Sequence, residues 1–321
     1  MKYILKRIGM AVFTLLMVSI IVFTMFQIIP GDVVTAKLGT NATEERVEAL
    51  REEYGLNLPV HMQYFNWISG ILRGDLGNSY SKDMPVLVLI GNNLVVTVSL
   101  ALVSLLIIII LAVPVGFATG FIAAKNTRAA KGFDIVFDSI NQTFMAVPSF
   151  FIGILISVIF GLVLKWFIPG RYVSYKEDFT GFLLYLIPAA IAVAIPKTAM
   201  LIKFIKSSVE AEMNKDYVRT AKSKGMGNIR ILMRHVFKNS IITSVTALSV
   251  IMAEIFAGSV VVEQVFNLPG LGRLLITSIG TRDYPVVMDI VMYVAAVIIT
   301  INLLVDIIYT LVDPRIGDAH E

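Results

Sequence analysis

The chain has 321 residues, of which 57% are apolar and only 16% are charged, whereas a soluble domain carries roughly 25% charged residues. The mean hydropathy is +0.81 and the formal net charge is +4. This composition excludes a disordered chain, a fibrous protein and a protein that coats nucleic acid, so no nucleic-acid partner is expected. An ordinary soluble enzyme is also disfavoured, because the chain has too little polar surface to cover itself in water. Lipid is the expected solvent.

The residues that most often build reactive centres are scarce. The chain contains no cysteine, and its three histidines, His61, His235 and His320, lie far apart. Disulfides, thiolate nucleophiles and cysteine-ligated metals are therefore excluded, and neither an HExxH motif nor a spacing of two histidines with one carboxylate occurs. We predict no catalytic residue, no metal site and no cofactor bound by this chain.

Six apolar stretches are long enough to cross a bilayer, which takes about 20 helical residues. They are residues 10–29, 94–124, 135–167, 182–202, 241–262 and 286–311. The expected fold class is therefore all-α, a polytopic membrane protein with six transmembrane helices. Four prolines lie inside the stretches, and each is expected to kink its helix because it removes a backbone donor. They are Pro114, Pro148, Pro188 and Pro196.

The soluble segments divide the chain into regions. Residues 1–30 read as a retained N-terminal anchor helix, because the apolar run exceeds the roughly 7–15 residues of a signal-peptide core. Residues 31–93 read as an extracytoplasmic segment with short helices, one near residues 43–54 and one near 60–72. Residues 94–311 form the predicted five-helix membrane core, which includes a cytoplasmic segment at 203–240. Residues 312–321 are the predicted cytoplasmic tail.

Basic residues in short loops set the orientation of a membrane protein, with the richer side in the cytoplasm. One side of the predicted topology, which holds the N-terminus, the 125–131 loop, the 203–240 segment and the tail, carries sixteen lysines and arginines. The other side carries ten. Both termini are therefore predicted to be cytoplasmic.

The 203–240 segment alone holds nine basic residues, and it contains two helical patterns separated at residues 225–227. Met213, Tyr217 and Ala221 follow a spacing of four and are expected to share one helix face. Gly225 suits the position after a helix end, and Gly227 or Asn228 suits the cap of the next helix. The segment is either a solvated basic loop or a docking element. The clustered small and apolar residues favour docking.

Several stretches carry a resemblance to a known family. Residues 216–241, DYVRTAKSKGMGNIRILMRHVFKNSI, resemble the cytoplasmic EAA loop of ABC-importer permeases in its peptide-permease form, with Ala221 and Gly225 at the matching spacing. Arg219 stands where other branches of the family have an acidic residue, and Thr220 follows it. SIIVFTMFQIIPGD, VPSFFIGILIS and LLVDIIYTLVDPRIG match other family segments in the right order. The chain is most similar to the first of the two paired permeases of dipeptide and oligopeptide importers.

The resemblance implies a permease that works with partners. It implies a second permease subunit in a heterodimer, two ATPase subunits that bind ATP and Mg, an extracytoplasmic substrate-binding protein, membrane lipid and a peptide substrate. The chain has no GxxxxGK[ST] phosphate loop, which agrees with a separate motor. Residues 217–235 would hold the coupling helix that contacts the ATPase. The implied location is the cytoplasmic membrane of a bacterium or archaeon. The coupling residues implied are Tyr217, Arg219, Thr220, Ala221, Gly225, Met226, Asn228, Arg234 and His235.

Polar side chains inside the predicted spans are the candidates for a translocation pathway. Glu254 lies mid-span, where an acid costs about 2.5–3.5 kcal/mol on insertion scales, so it either lines a wet pathway or forms a structural pair. Asn141 and Gln142 either line a cavity or bond across helices. Lys197 is expected to extend its amine to the cytoplasmic interface.

Three alternatives stay open at this point. The same family carries nickel or other small solutes, which is the alternative cargo. A secondary transporter or channel would instead show buried acid–base relays or inverted repeats, and a membrane-embedded hydrolase would need a nucleophile or metal cluster in a span. No predicted span contains histidine or cysteine.

Overall fold

The protein is described from a computed structural model that covers residues 2–28, 33–39, 43–125 and 127–312. Apart from Val312, the predicted tail lies outside these residues. Regular structure in the described ranges is helical, with one isolated antiparallel bridge between Asn78 and Pro85. The helices are α1 Lys2–Ile28, α2 Val33–Leu38, α3 Glu44–Glu53, α4 Val60–Arg73, α5 Val86–Ala123, α6 Arg128–Ala146, α7 Ser149–Ile156, α8 Phe179–Met213, α9 Asp216–Ser223, α10 Asn228–Ile231, α11 Phe237–Val265, α12 Leu271–Gly280 and α13 Tyr284–Val312.

Five of these helices, α1, α5, α8, α11 and α13, are long and apolar enough to cross a membrane. A sixth crossing requires that α6 and α7 be counted together, and this pair is bent by 88°. The all-α prediction is confirmed, and the span expected over residues 135–167 is this bent pair, with the break at Pro148, where a kink was expected. The break falls at Pro148, whose ring disfavours helical backbone at the preceding residue. Val147 accordingly has φ −77° and ψ 123°, in the extended region.

The other prolines leave their helices unbroken. Pro114 lies inside α5, and Pro188 and Pro196 lie inside α8, each of which runs on as a single helix. Two π-helical turns also occur, at Ser157–Val163 after α7 and at Leu232–Val236 between α10 and α11. A π turn spaces its hydrogen bonds one residue wider than an α-helix.

The described chain divides into two compact units. The first comprises residues 1–96 and 269–299. One apolar core in it joins the start of α5, through Val86 and Ile90, to Leu271 of α12 and Val286 of α13. A polar anchor also fixes the turn before α5. The carboxylate of Asp283 accepts hydrogen bonds from the Ser79 hydroxyl and, at 2.9 Å, from the Tyr80 amide.

The second unit comprises residues 97–268 and 300–321, and α8 is its central helix, packed against α6, α7 and α11. Small residues allow the close approach of neighbouring helices. A Cβ at Gly116 or Gly120 of α5 would lie 2.7 Å from Ile205 Cβ or 2.8 Å from Val209 Cβ of α8, respectively. The GFATG sequence is therefore a contact face for α8. It was not identified from the sequence, although two glycines four residues apart are a recognisable signal.

Candidate functional site

The segment between α8 and α11 folds as two short helices, but with a different break from the one expected. Helix α8 ends at Met213, and α9 begins only at Asp216. Met213 therefore does not share a helix face with Tyr217 and Ala221, which corrects the predicted pattern. The helix also continues beyond residue 202, where the fourth span was expected to end, because the polar residues that follow are satisfied by neighbouring helices.

A hydrogen-bonded cluster holds this break. The carboxylate of Glu212, which is 7% exposed, accepts from the Lys215 ammonium and, at 2.6 Å, from the Tyr217 hydroxyl. The Asn239 amide of α11 donates to the same hydroxyl at 3.3 Å. Burial raises the pKa of Tyr217, and its bond to Glu212 raises it further. Tyr217 thus stays a neutral donor that ties α9 to the ends of α8 and α11.

The turn between α9 and α10 lies where the sequence placed it. Gly225 has φ +78°, its amide donates to Lys222 O at 2.9 Å, and the Met226 amide donates to Ala221 O at 3.2 Å. These two bonds define a Schellman helix end, which requires left-handed backbone at the glycine. Gly227, and not Asn228, occupies the cap of α10.

This segment turns one face inward and one outward. Val218, Ala221 and Ile231 are buried at 0%, 8% and 0% exposure, so Ala221 is packed inside. Ile229 and Met233, by contrast, are 73% and 61% exposed. The side chains exposed around them are polar or basic, and His235 is half-buried with its ring centroid 6.5 Å from that of Tyr217. We call the exposed residues the α9–α10 surface: Arg219, Thr220, Asn228, Ile229, Arg230, Met233 and Arg234.

Two charged residues of the spans contact each other. The Lys197 ammonium of α8 forms an ion pair with Glu254 of α11, so Lys197 does not extend toward the interface as expected. Of the two side chains, 19% of Lys197 and 41% of Glu254 remain exposed. The ion-pair alternative for Glu254 is therefore present in the structure. The pathway role of Glu254 stays a prediction. Its motivation is that an acid so exposed within an apolar helix needs water or a polar neighbour outside this chain.

Asn141 and Gln142 of α6 differ in their surroundings: the first is buried, and the second is exposed. The buried Asn141 side chain donates to Ala199 O of α8 at 2.8 Å, which is a bond across helices. The exposed Gln142 accepts from the Lys203 ammonium at 3.3 Å. Asn141 thus joins two helices, while Gln142 remains open on the surface of α6.

A third lysine of α8 was missed from the sequence. The ammonium of Lys206 lies 2.6 Å from Asp134 and 2.5 Å from Asp138 of α6, and Lys206 is only 5% exposed. It was counted among the basic residues of a soluble segment, because hydropathy alone ended the fourth span too early. A similar buried contact joins the Thr97 hydroxyl to Glu263 at 2.7 Å.

The described residues contain no group of three or more histidines, aspartates and glutamates placed to hold a metal ion. The comparison with known proteins then decides the family. The family described as the binding-protein-dependent transport system inner membrane component matches residues 116–318. Its N-terminal counterpart matches residues 1–101. The chain belongs to this family.

Individual relatives agree with that assignment. The chain is 37% identical over 313 residues to a putative peptide transport system permease protein of Brucella suis, with 98% of each chain covered. It is 34% identical over 314 residues to a probable peptide ABC transporter permease of Sinorhizobium fredii, again with 98% of each covered. It is 33% identical over 317 residues to an oligopeptide transport system permease of Bacillus subtilis, with 98% of each covered. The protein is a multi-pass membrane component of a transport system, referred to below as the permease.

Proposed function

We propose that the permease forms half of the translocation pathway for di- or oligopeptides in an ATP-driven importer. A similar second permease would supply the other half, and two separate ATPase subunits would bind ATP and Mg. An extracytoplasmic binding protein would deliver the peptide. The observation that carries this proposal is the α9–α10 surface. Two aliphatic side chains lie exposed there among polar and basic residues, and a solvated loop would not need them.

The placement of this surface follows from charge. The basic-rich side of the chain faces the cytoplasm under the positive-inside rule, so both termini and the α9–α10 surface would lie there, in the membrane of a bacterium or archaeon. ATP is available on that side. Residues 31–93 would then face outward, where a binding protein docks.

The connection of α9 to its neighbours supports a mechanical role. Tyr217 of α9 hydrogen-bonds Glu212 at the end of α8 and Asn239 near the start of α11. A displacement of α9 by a closing ATPase therefore reaches two spans at once. Such coupling shifts an equilibrium between two conformations of the pathway.

Glu254 and Lys197 are the residues that we assign to the pathway, with Gln142 open near it and Asn141 bonding α6 to α8. An ion pair that is partly exposed within two apolar helices is unfavourable against lipid, so a second subunit or a water-filled path would cover it. The names of the relatives favour peptide as cargo. Nickel or another small solute is the alternative, and competition of each with labelled peptide uptake separates them.

The test of coupling changes the exposed aliphatic side chains. Ile229→Glu with Met233→Glu should abolish copurification of candidate ATPase subunits and ATP-driven uptake, because the contact would have to bury two new charges. Leu72→Glu is the matched control, since Leu72 is 82% exposed on α4 and would face the other side. If the ATPase subunits still copurify normally with the double variant, the coupling surface is misassigned. Uptake that proceeds without ATP would instead indicate a secondary transporter or channel.

A further inference from the structure

The first compact unit contains a cavity of about 830 Å³. It lies among α1, the end of α3, α4, the turn before α5 and the start of α13. This volume falls within the roughly 300–1,000 Å³ typical of small-molecule sites. None of the residues assigned to the coupling surface or to the pathway lines it.

Aromatic rings form much of the wall, and they pack on one another in pairs. Phe23 stacks on Trp67 with ring centroids 6.1 Å apart, and Tyr54 stacks on Tyr80 at 4.1 Å. Burial, with the neighbouring Tyr54 and Asp283, raises the pKa of Tyr80 to about 12, so its hydroxyl stays neutral. The aromatic part of the wall is therefore uncharged, and the negative faces of its rings suit a cation.

In the described part of the chain, the charged side chains that line the cavity are all acidic, namely Glu53, Asp75 and Asp83, and no lysine, arginine or histidine is among them. Asp83 is neutralised from the side by Lys37, whose ammonium lies 2.5 Å from the carboxylate and donates to the Tyr54 hydroxyl at 2.7 Å. Burial lowers the pKa of Lys37, but these bonds outweigh it and raise the pKa overall. Among the residues that the structure describes, Glu53 and Asp75 have no such ion-pair partner.

The wall is held in place before any ligand arrives. The Trp67 indole donates to Asp289 at 2.8 Å, and the Ser81 hydroxyl donates to Asp283 at 2.6 Å, which fixes the turn that carries Tyr80. The Gly77 amide donates to Asp75 at 3.0 Å and orients that carboxylate. Preorganised groups lower the cost of ordering on binding.

We propose that this cavity binds the amino-terminal end of a peptide, with its ammonium group at Glu53 and Asp75 and its first side chain against the Phe23–Trp67 wall. The chemistry recognised is a primary ammonium attached to an apolar group, which matches carboxylates set beside aromatic rings. A peptide carboxylate would be repelled by the same acids. This inference rests on the peptide cargo proposed above and adds where one end of that cargo is recognised.

The two tryptophans of the chain, Trp67 and Trp166, allow a direct test. In a Trp166→Phe background, Trp67 is the only tryptophan and lines the cavity. The full-length permease in lipid nanodiscs is titrated with Leu-Ala-Ala. We expect a saturable change in Trp67 fluorescence, with at least tenfold weaker binding for N-acetyl-Leu-Ala-Ala. N-acetyl-Leu-Ala-Lys carries its primary ammonium on the lysine side chain instead of the amino terminus. It should also bind at least tenfold more weakly than Leu-Ala-Ala.

The variant Glu53→Gln with Asp75→Asn should weaken binding of Leu-Ala-Ala at least tenfold. Glu44→Gln is the matched control, because Glu44 lies on the same helix α3 but does not line the cavity, and it should leave binding unchanged. Equal binding of the acetylated and free peptides would overturn the proposal. Unaltered binding to the double variant would overturn it as well.

Uptake by the complete importer separates this inference from the proposed function. ATP-driven peptide uptake without any Trp67 response would reject the cavity and leave the importer intact. A Trp67 response that depends on the free amino group, in a permease that supports no peptide uptake with any candidate partner, would support the cavity and reject the importer. Failure of both measurements rejects both.

Discussion

Two lysines on α8 reach carboxylates of neighbouring helices, but their surroundings differ. Lys206 is 5% exposed and is shared by two aspartates of α6, which lie 2.6 and 2.5 Å away. Lys197 has one partner, Glu254, and both side chains of that pair remain partly open. A buried cation with two acceptors braces two helices, whereas an open pair of one donor and one acceptor can exchange partners. The first arrangement serves packing, and the second is suited to a pathway.

The contact beneath Lys206 gives the largest expected effect. A Cβ at Gly120 would lie 2.8 Å from the backbone oxygen of Lys206, which cannot move without shifting α8. Gly120→Leu should therefore lower the free energy of unfolding by about 3 kcal/mol, at the upper end of overpacking costs. Thermal unfolding in detergent measures the loss. Gly132→Leu is the control, since no atom lies within 4 Å of that position's Cβ, and an equal loss there would show that α5 and α8 do not need close contact.

Lys206→Met tests the brace itself with the methylene stem retained. Removing the ammonium takes away two charged hydrogen bonds, but Asp134 and Asp138 are 31% and 55% exposed and can regain water. We expect a loss of about 2 kcal/mol, within the range for hydrogen bonds to charged groups. Lys203→Met, at an exposed position of the same helix, should cost less than about 0.5 kcal/mol. If the two variants lose the same free energy of unfolding, Lys206 does not brace the two helices.

Glu254→Gln should have the smallest effect on stability and a large effect on transport. Glutamine keeps an acceptor for Lys197, and the pair is partly open, so we expect at most about 1 kcal/mol of destabilisation. Peptide uptake by the reconstituted importer should nevertheless fall at least tenfold if Glu254 lines the pathway. Glu210→Gln removes an exposed acid from α8 and serves as control. Normal uptake in the Glu254 variant would leave the pair as a purely structural contact.

The sequence predicted the features that depend on composition and on local turns. Long apolar stretches predicted membrane-crossing helices, since lipid requires about 20 such residues, and the glycine-rich break at residues 225–227 predicted the turn between α9 and α10. These signals are local. They need no knowledge of which helices become neighbours.

The features that depend on neighbours were not predictable in the same way. Pro148 breaks its helix while Pro188 and Pro196 do not, although each removes the same donor, because packing decides whether the rest of the helix is held. The sequence assigned Lys206 to a soluble segment, because its contacts with Asp134 and Asp138 are visible only in the folded structure. The cavity of the first unit combines residues from α1, the 53–83 region and α13, so no sequence window contains it.

The turn at Gly225 constrains how this protein can diverge. Nothing lies within 4 Å of a Cβ built there, so the position has room for a side chain, yet its φ of +78° is unfavourable for every residue with L-chirality. Selection at this position therefore acts on backbone handedness and not on volume. Among descendants of this sequence, asparagine is the replacement that best keeps the turn. A β-branched residue would re-aim α10 without touching any neighbour.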